Sequence, residues 1–89
     1  RRNAENIELF SEAEIKCATL FFDEVKKAFF RRNVYLSYNK NHISVKVNRP
    51  GKVDMVSLAV RNLECGMDEH EIDIKVMKNG NRIYHLPRL

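Results

Sequence analysis

The sequence predicts an α+β domain, a two-layer sandwich in which two helices cover one face of a mostly antiparallel sheet. Three observations lead to this prediction. A capping box at Ser11 opens a long amphipathic segment, stretches of alternating apolar residues follow it, and the dipeptide Asn79-Gly80 is typical of a tight β-hairpin. Helical and extended periodicities in one short chain predict helices packed on one side of a sheet. The predicted order of elements is β-α-β-β-α-β-β.

Chain length and composition limit the fold to one core. The 89 residues suffice for a single domain, predicted over residues 1–89, and 44% of them are apolar and 31% charged, as in folded globular chains. The apolar run at residues 17–22 is far shorter than the about twenty residues that span a bilayer, so no membrane partner is expected. The chain begins with Arg1-Arg2 and not with methionine, which indicates a processed form or a fragment.

The first helix is predicted to begin directly after Ser11. Ser11 and Glu14 have the spacing of a capping box, and Phe10 and Ile15 have the spacing of a hydrophobic staple. An apolar stripe then recurs at helical spacing through Ile15, Ala18, Phe22, Val25 and Phe29. Acidic residues lead this segment and basic residues end it, which suits the helix dipole.

Five extended segments are predicted around the helices. They are residues 7–10, 34–38, 42–48, 72–76 and 82–86. The second and third are joined by turn-forming residues, and the last two by Lys78-Asn79-Gly80-Asn81, which contains the strongest short hairpin signal. We expect the last two segments to pair as a hairpin.

Residues 53–63 fit two patterns. A short helix capped by Asp54 would suit Val56, Ala59, Val60 and Leu63. A strand would suit Val56, Leu58 and Val60. The helix is preferred, with its end near Gly66.

The two cysteines indicate a reducing compartment. Cys17 and Cys65 lie far apart without the spacing of metal ligands, and two cysteines are too few for the disulfide framework of a small secreted domain. Cys17 lies among apolar neighbours, where a free cysteine behaves as a small hydrophobe. We therefore expect a buried free thiol at Cys17 and a cytoplasmic location.

No group of residues in the sequence predicts catalysis or metal binding. His42, His70 and His85 lie on different predicted elements and outside any metal-ligand spacing. The acidic residues 68–71 lack the ligand order of a calcium loop, and residues 49–52 lack the second glycine and the hydroxyl residue of a phosphate-binding loop. We therefore expect no enzyme, no metal and no cofactor.

A run of basic residues favours an acidic partner. Positions 26 to 52 contain eight lysines and arginines and no acid, in a chain of net charge +4. Phe29, Phe30, Tyr35 and Tyr38 are interleaved with these bases and have faces on which nucleic-acid bases can stack. The candidate binding residues are Lys26, Lys27, Arg31, Arg32, Lys40, Lys46, Arg49, Lys52, Tyr35 and Tyr38. The competing interpretation is a solvated basic rim with the phenylalanines in the core.

Several segments resemble one family of small α+β proteins. Residues 18–29 are similar to that family's first helix and residues 34–39 to the strand after it. Gly51-Lys52-Val53 and Ser57-Leu58, followed by residues 71–74, look like its turn, its regulatory-serine helix and its fourth strand. The family is the histidine phosphocarrier (HPr) proteins of the sugar phosphotransferase system. The resemblance implies that Ser57 is a candidate regulatory phosphorylation site.

The chain departs from this family at the residues that carry phosphate. Glu14 stands where the family has its phosphoacceptor histidine, and Lys16-Cys17 replaces the following Arg-Pro. A glutamate cannot perform the histidine's phosphoryl relay. Residues 40–50 are an insertion, and a predicted hairpin replaces the closing helix.

The expected function is therefore binding without catalysis. We expect a binding or regulatory module of phosphocarrier-like shape that mediates protein–protein interaction. The alternative is a basic RNA- or DNA-binding domain that uses residues 26–52. The expected partner is thus another protein or a nucleic acid, with no small-molecule cofactor.

Overall fold

The computed structural model describes residues 2–3, 6–50 and 56–89 of the chain. Its elements in chain order are β1 (Arg2–Asn3), a 3-10 helix (Ile7–Leu9), α1 (Glu12–Ala28), β2 (Val34–Tyr38), β3 (Ile43–Val47), α2 (Val56–Leu63), a second 3-10 helix (Glu69–Glu71), β4 (Asp73–Val76) and β5 (Arg82–His85). The predicted α+β class is confirmed, with a mostly antiparallel sheet and two helices. The turn predicted at Gly51-Lys52 and the helix cap predicted at Asp54 lie outside the described residues.

The strands of the described residues form one sheet in the order β1-β2-β3-β5-β4. β1 pairs with β2 in parallel, and the other neighbours are antiparallel. The register aligns Leu36, Val45 and Tyr84 across the three central strands. All three are buried, and the Tyr84 ring packs edge-on against Phe21 of α1 with ring centroids 5.7 Å apart. This row therefore marks the sheet face that the helices cover.

The core lies between this face and the two helices. Phe21 and Val25 from α1 and Ala59 from α2 are inaccessible to solvent. Each is an apolar side chain on the inner side of its helix. Helix α1 packs on β2 and β3, and α2 packs against α1, so burial in this shared core stabilises both helices. Within the described residues, neither helix combines the length and the apolar character that a membrane span requires.

The predicted beginning of α1 is confirmed in detail. The Ser11 hydroxyl accepts a hydrogen bond from the Glu14 backbone N–H at 3.1 Å, and the Glu14 carboxylate accepts one from the Ser11 N–H at 2.9 Å. These reciprocal bonds satisfy two backbone donors that the first turn leaves without helical partners. The capping box therefore defines the first residue of α1 at Glu12.

The strand predicted at residues 7–10 is wrong. Leu9 donates to the Asn6 carbonyl at 3.0 Å and Phe10 to the Ile7 carbonyl at 3.2 Å, which are the i to i+3 bonds of a 3-10 turn. Ile7 and Phe10 face inward while Glu8 and Leu9 are exposed, a period of three that a strand cannot produce. The parallel strand of this region lies earlier, at Arg2–Asn3.

The second helix and the final hairpin agree with the predictions. Residues 56–63 are helical, and the chain turns after them through Glu64 and Gly66, both at positive φ. In the hairpin, Met77 donates to the Asn81 carbonyl at 2.8 Å and Gly80 has φ of 90°. Glycine accepts this left-handed backbone without a steric penalty.

The expectation of a free thiol is also wrong, because Cys17 and Cys65 form a disulfide. Cys17 is buried on α1, and the turn after α2 brings Cys65 to a Cα–Cα distance of 5.8 Å, across 48 positions of sequence. That distance is normal for a disulfide. The spacing of cysteines in sequence does not reveal which of them the packing of two helices brings together.

Candidate binding surface at the end of the first helix

Helix α1 ends in a Schellman motif. The Arg31 N–H donates to the Lys26 carbonyl at 2.7 Å, and the Phe30 N–H donates to the Lys27 carbonyl at 3.4 Å. These two bonds define the motif, in which Phe29 is the C-cap residue and Phe30 follows it at the C′ position. The position that Phe30 occupies is the one that glycine normally takes, because its backbone is left-handed.

Three residues of this turn have left-handed backbone although none is glycine. Phe30, Arg31 and Asn33 have φ of 56°, 58° and 59°. Asparagine tolerates this region, but the conformation costs phenylalanine and arginine about 1–2 kcal/mol because their Cβ atoms crowd the backbone. The turn is stabilised instead by its hydrogen bonds and by the Asn48 N–H, which donates to the Asn33 carbonyl at 2.8 Å.

The strained turn holds a large aromatic side chain in solvent. Phe30 is 77% exposed, whereas its neighbour Phe29 is 5% exposed and packs in the core. The Phe30 ring therefore contributes almost nothing to the core. Strained backbone positions cluster at functional sites, so Phe30 is a candidate contact for a partner.

Arg49 connects β3 to this turn. Its Nη1 donates to the Phe29 carbonyl at 2.7 Å, so it satisfies a carbonyl at the negative end of α1. The guanidinium also lies 5.9 Å from the Phe30 ring centroid, at the outer limit for a cation–π contact. Arg49 thus ties β3 to the end of α1 and lies beside the exposed ring.

Arg31 and Arg32 complete a basic surface around the aromatic ring. Both are exposed and follow Phe30 in the same turn. We call Phe30, Arg31, Arg32 and Arg49 the Phe30 surface. Lys26 and Lys27 lie in the last turn of α1, next to this surface. The Lys26 Nζ is 5.0 Å from the Phe22 ring centroid, and the Lys27 Nζ is 3.5 Å from a carboxylate oxygen of Glu24.

The remaining predicted bases do not join this surface. Lys40 lies in the β2–β3 turn, at the opposite end of that hairpin from Arg49. Lys46 is opposite Tyr35 in the β2–β3 register and is exposed on the sheet face that the helices leave uncovered. Lys52 lies outside the described residues. The basic run is thus divided among separate parts of the domain.

The two tyrosines and the candidate regulatory serine have different surroundings. Tyr38 is fully buried and packs against Phe10 with ring centroids 6.1 Å apart, so it cannot contact a partner and is removed from the candidate surface. Tyr35 is half-buried on the uncovered sheet face. Ser57 is exposed at the second residue of α2.

The uncovered sheet face carries a polar cluster. Asn39 donates to the Ser44 hydroxyl at 2.7 Å, and the hydroxyls of Ser37 and Ser44 are 3.2 Å apart. Next to them the rings of His42 and His85 pack edge to face, with ring centroids 4.3 Å apart. Burial, followed by the charge of His42, lowers the pKa of His85. The described residues contain no group of three or more His, Cys, Asp or Glu side chains arranged to hold a metal ion.

The side chain of Glu14 is committed to structural contacts. It is 6% exposed, closes the capping box, and accepts hydrogen bonds from Arg88 Nε at 2.6 Å and from the Leu89 N–H at 3.1 Å. Burial raises the pKa of this carboxyl, but the Ser11 N–H and the Arg88 and Leu89 donors outweigh that effect and lower the pKa to about 2. An anion held in this way stabilises the fold.

No protein-family model, curated protein or solved structure matches this chain. The resemblance to the phosphocarrier proteins therefore gains no support from these comparisons.

Proposed function

We propose that this domain is a non-catalytic protein-binding module that recognises an acidic segment of another protein through the Phe30 surface. The observation that carries this proposal is Phe30 itself, 77% exposed in the left-handed position of a Schellman motif. Glycine at this position would form the same backbone bonds without the crowding of a Cβ atom. A contact between the ring and a partner accounts for phenylalanine at this position.

The composition of the surface suits a binding hot spot. Aromatic rings and arginines supply much of the affinity at protein interfaces, because a ring loses little conformational entropy and a guanidinium can bind a carboxylate through two bonds. Phe30 supplies the ring, and Arg31 and Arg32 supply exposed guanidinium groups. A partner segment with carboxylates beside an apolar residue would match both features.

Nucleic acid is the second candidate, and the distribution of aromatic residues disfavours it. Single-strand binders combine a continuous basic groove with several rings on which successive bases stack. Here Tyr38 is buried, and Lys40 and Lys46 lie apart from Arg31 and Arg32. The Phe30 surface offers one exposed ring, which suits an anchor in a protein pocket better than a stacking platform.

Regulation through Ser57 is part of the proposal. Ser57 is exposed at the beginning of α2, so a kinase could reach it, and a phosphate there would lie near the positive end of the helix.

The expectation of a cytoplasmic location depended on free thiols. The disulfide Cys17–Cys65 removes that basis, because disulfides persist mainly in oxidising compartments.

The test compares two classes of probe over a salt titration. The first is an acidic peptide of glutamate and leucine, with a glutamine-for-glutamate peptide as its control, and the second is a set of short single-stranded and duplex oligonucleotides. We expect the acidic peptide to bind, and its affinity to fall by about tenfold or more in Phe30→Ala, because the ring is the anchor.

A charge-matched pair of variants assigns the binding to this surface. Arg31→Glu with Arg32→Glu changes the net charge by the same amount as Lys40→Glu with Lys46→Glu, and all four residues are exposed. Each exchange should alter folding by about 0.5 kcal/mol or less per site. We expect the arginine variant to lose peptide binding and the lysine variant to retain most of it.

Two other outcomes would each change the assignment. Oligonucleotide binding whose salt slope falls by about two in the arginine variant would replace this proposal with nucleic-acid recognition. Equal losses in the arginine and lysine variants would reduce the Phe30 surface to an ordinary solvated rim.

A further inference from the structure

We propose that two copies of this chain associate by pairing their β4 strands antiparallel about a two-fold axis at Ile74, which extends the sheet across both copies. β4 is an outer strand of the sheet, and its only strand partner among the described residues is β5. An outer strand presents unpaired backbone donors and acceptors that can pair with another chain.

The hydrogen-bonding pattern identifies which backbone groups face outward. Met77 donates to the Asn81 carbonyl in the β4–β5 hairpin, and Leu86 donates to the Ile43 carbonyl on the other side of β5. In an antiparallel pair the bonded residues alternate. Because Met77 and Asn81 form a bonded pair, the backbone N–H and C=O groups of Lys75 and Asp73 also point towards β5. The backbone groups of Ile74 and Val76 therefore point away from β5, towards solvent.

This alternation restricts how two β4 strands can meet. Ile74 can exchange both backbone bonds with Ile74 of a second copy, and the side chains that then lie opposite one another belong to Asp73 and Lys75. That pair is of the non-bonded type, in which side chains approach most closely. Each dimer would contain two such oppositely charged pairs.

The neighbouring symmetric registers lack this complementarity. An axis at Lys75 would place two lysines opposite each other, and an axis at Asp73 would place two aspartates together. Like charges directly opposite are destabilising in a sheet. Charge therefore favours the axis at Ile74 over an axis at either adjacent residue.

The apolar side chains of β4 support the same arrangement. Ile74 and Val76 point to the helix-covered side of the sheet, yet they are 41% and 60% exposed. In the proposed register Ile74 lies opposite its own copy, and Val76 lies opposite Ile72. Pairing would bury apolar surface that the monomer leaves in water. Because the strand has only four residues, the dimer should be weak and depend on concentration.

Sedimentation equilibrium over a range of concentrations tests the proposal with three samples besides the natural chain. These are Asp73→Lys, Lys75→Asp and their equimolar mixture. Each variant alone would place like charges opposite one another at both pairs, so its dimerisation should weaken by about tenfold or more. In the mixture, a heterodimer restores opposite charges at both pairs, and association should recover.

Loss in each variant alone together with recovery in the mixture is the pattern that distinguishes this register, because an axis at residue 73 or 75 would already place like charges opposite one another in the natural chain. Loss in both variants without recovery in the mixture, equal association in all samples, or a natural chain that stays monomeric throughout would each overturn the proposal. Circular dichroism confirms that the variants fold, and Arg61→Glu, an exposed change on α2, is the control that should leave association intact. Amide exchange at Ile74 should also slow as the concentration of the natural chain rises.

Discussion

Arg88 binds Glu14 across almost the whole length of the sequence. Its Nε donates to Oε2 of Glu14 at 2.6 Å, and its Nη2 donates to the Leu9 carbonyl at 2.9 Å. The guanidinium also lies 4.5 Å from the Phe10 ring centroid. The end of the chain thereby closes over the beginning of α1, and one buried carboxylate serves both the helix cap and the terminal segment.

This carboxylate should make the fold sensitive to acid. The pKa of Glu14 falls from 4.5 to about 2 in the folded state, so ionised Glu14 stabilises the fold above the unfolded pKa. That stability, about 3 kcal/mol at most, should be lost as the pH falls from 4.5 towards 2. Urea unfolding measured across this range in Glu14→Gln, which cannot ionise, should lack this part of the pH dependence. An unchanged slope in the variant would contradict the assignment.

Replacing Ser11 with alanine should lower the free energy of unfolding by about 1 kcal/mol. The hydroxyl that accepts from the Glu14 N–H would be lost, and that donor lies at the first turn of α1 where no helical carbonyl replaces it. The midpoint of chemical denaturation measures the change. Ser57→Ala, an exposed serine on the other helix, should shift the midpoint much less.

Reduction of the disulfide should destabilise the domain. A bond that closes 48 positions of sequence restricts the unfolded chain by about 4 kcal/mol in the loop-entropy model. Unfolding free energies measured with and without a reducing agent should therefore differ by a few kcal/mol. The double variant Cys17→Ser and Cys65→Ser should match the reduced protein and should not respond to the reducing agent. Equal stabilities under both conditions would show that the bond adds nothing to folding.

The Phe30 position should trade stability against binding. Phe30→Gly removes the Cβ crowding at φ of 56°, whereas Phe30→Ala retains it. We expect the glycine variant to be more stable than the alanine variant by about 1 kcal/mol, and both to bind the acidic peptide more weakly by about tenfold or more. Thermal unfolding and the peptide titration provide the two measurements. A glycine variant less stable than alanine would mean that the turn is not strained.

Local sequence signals were sufficient for the elements whose cause is local. The capping box at Ser11 and Glu14 depends on residues three positions apart, and the Asn79-Gly80 turn depends on the conformational freedom of one glycine. The apolar stripe of the first helix and the alternation in the strands likewise determined the α+β class, because burial of one face selects the period.

Only the tertiary structure decided which distant residues meet. The 3-10 turn at Ile7–Leu9 replaced a predicted strand because β1 already occupies the edge of β2. The packing of two helices brings Cys17 and Cys65 together, and Glu14 pairs with Arg88, which is distant in sequence. Phe29 and Phe30 are adjacent residues of the same type, yet the left-handed turn leaves Phe29 buried and Phe30 exposed. Such choices depend on the energy of whole packed surfaces and on the direction of the backbone, which neighbouring residues in the sequence do not determine.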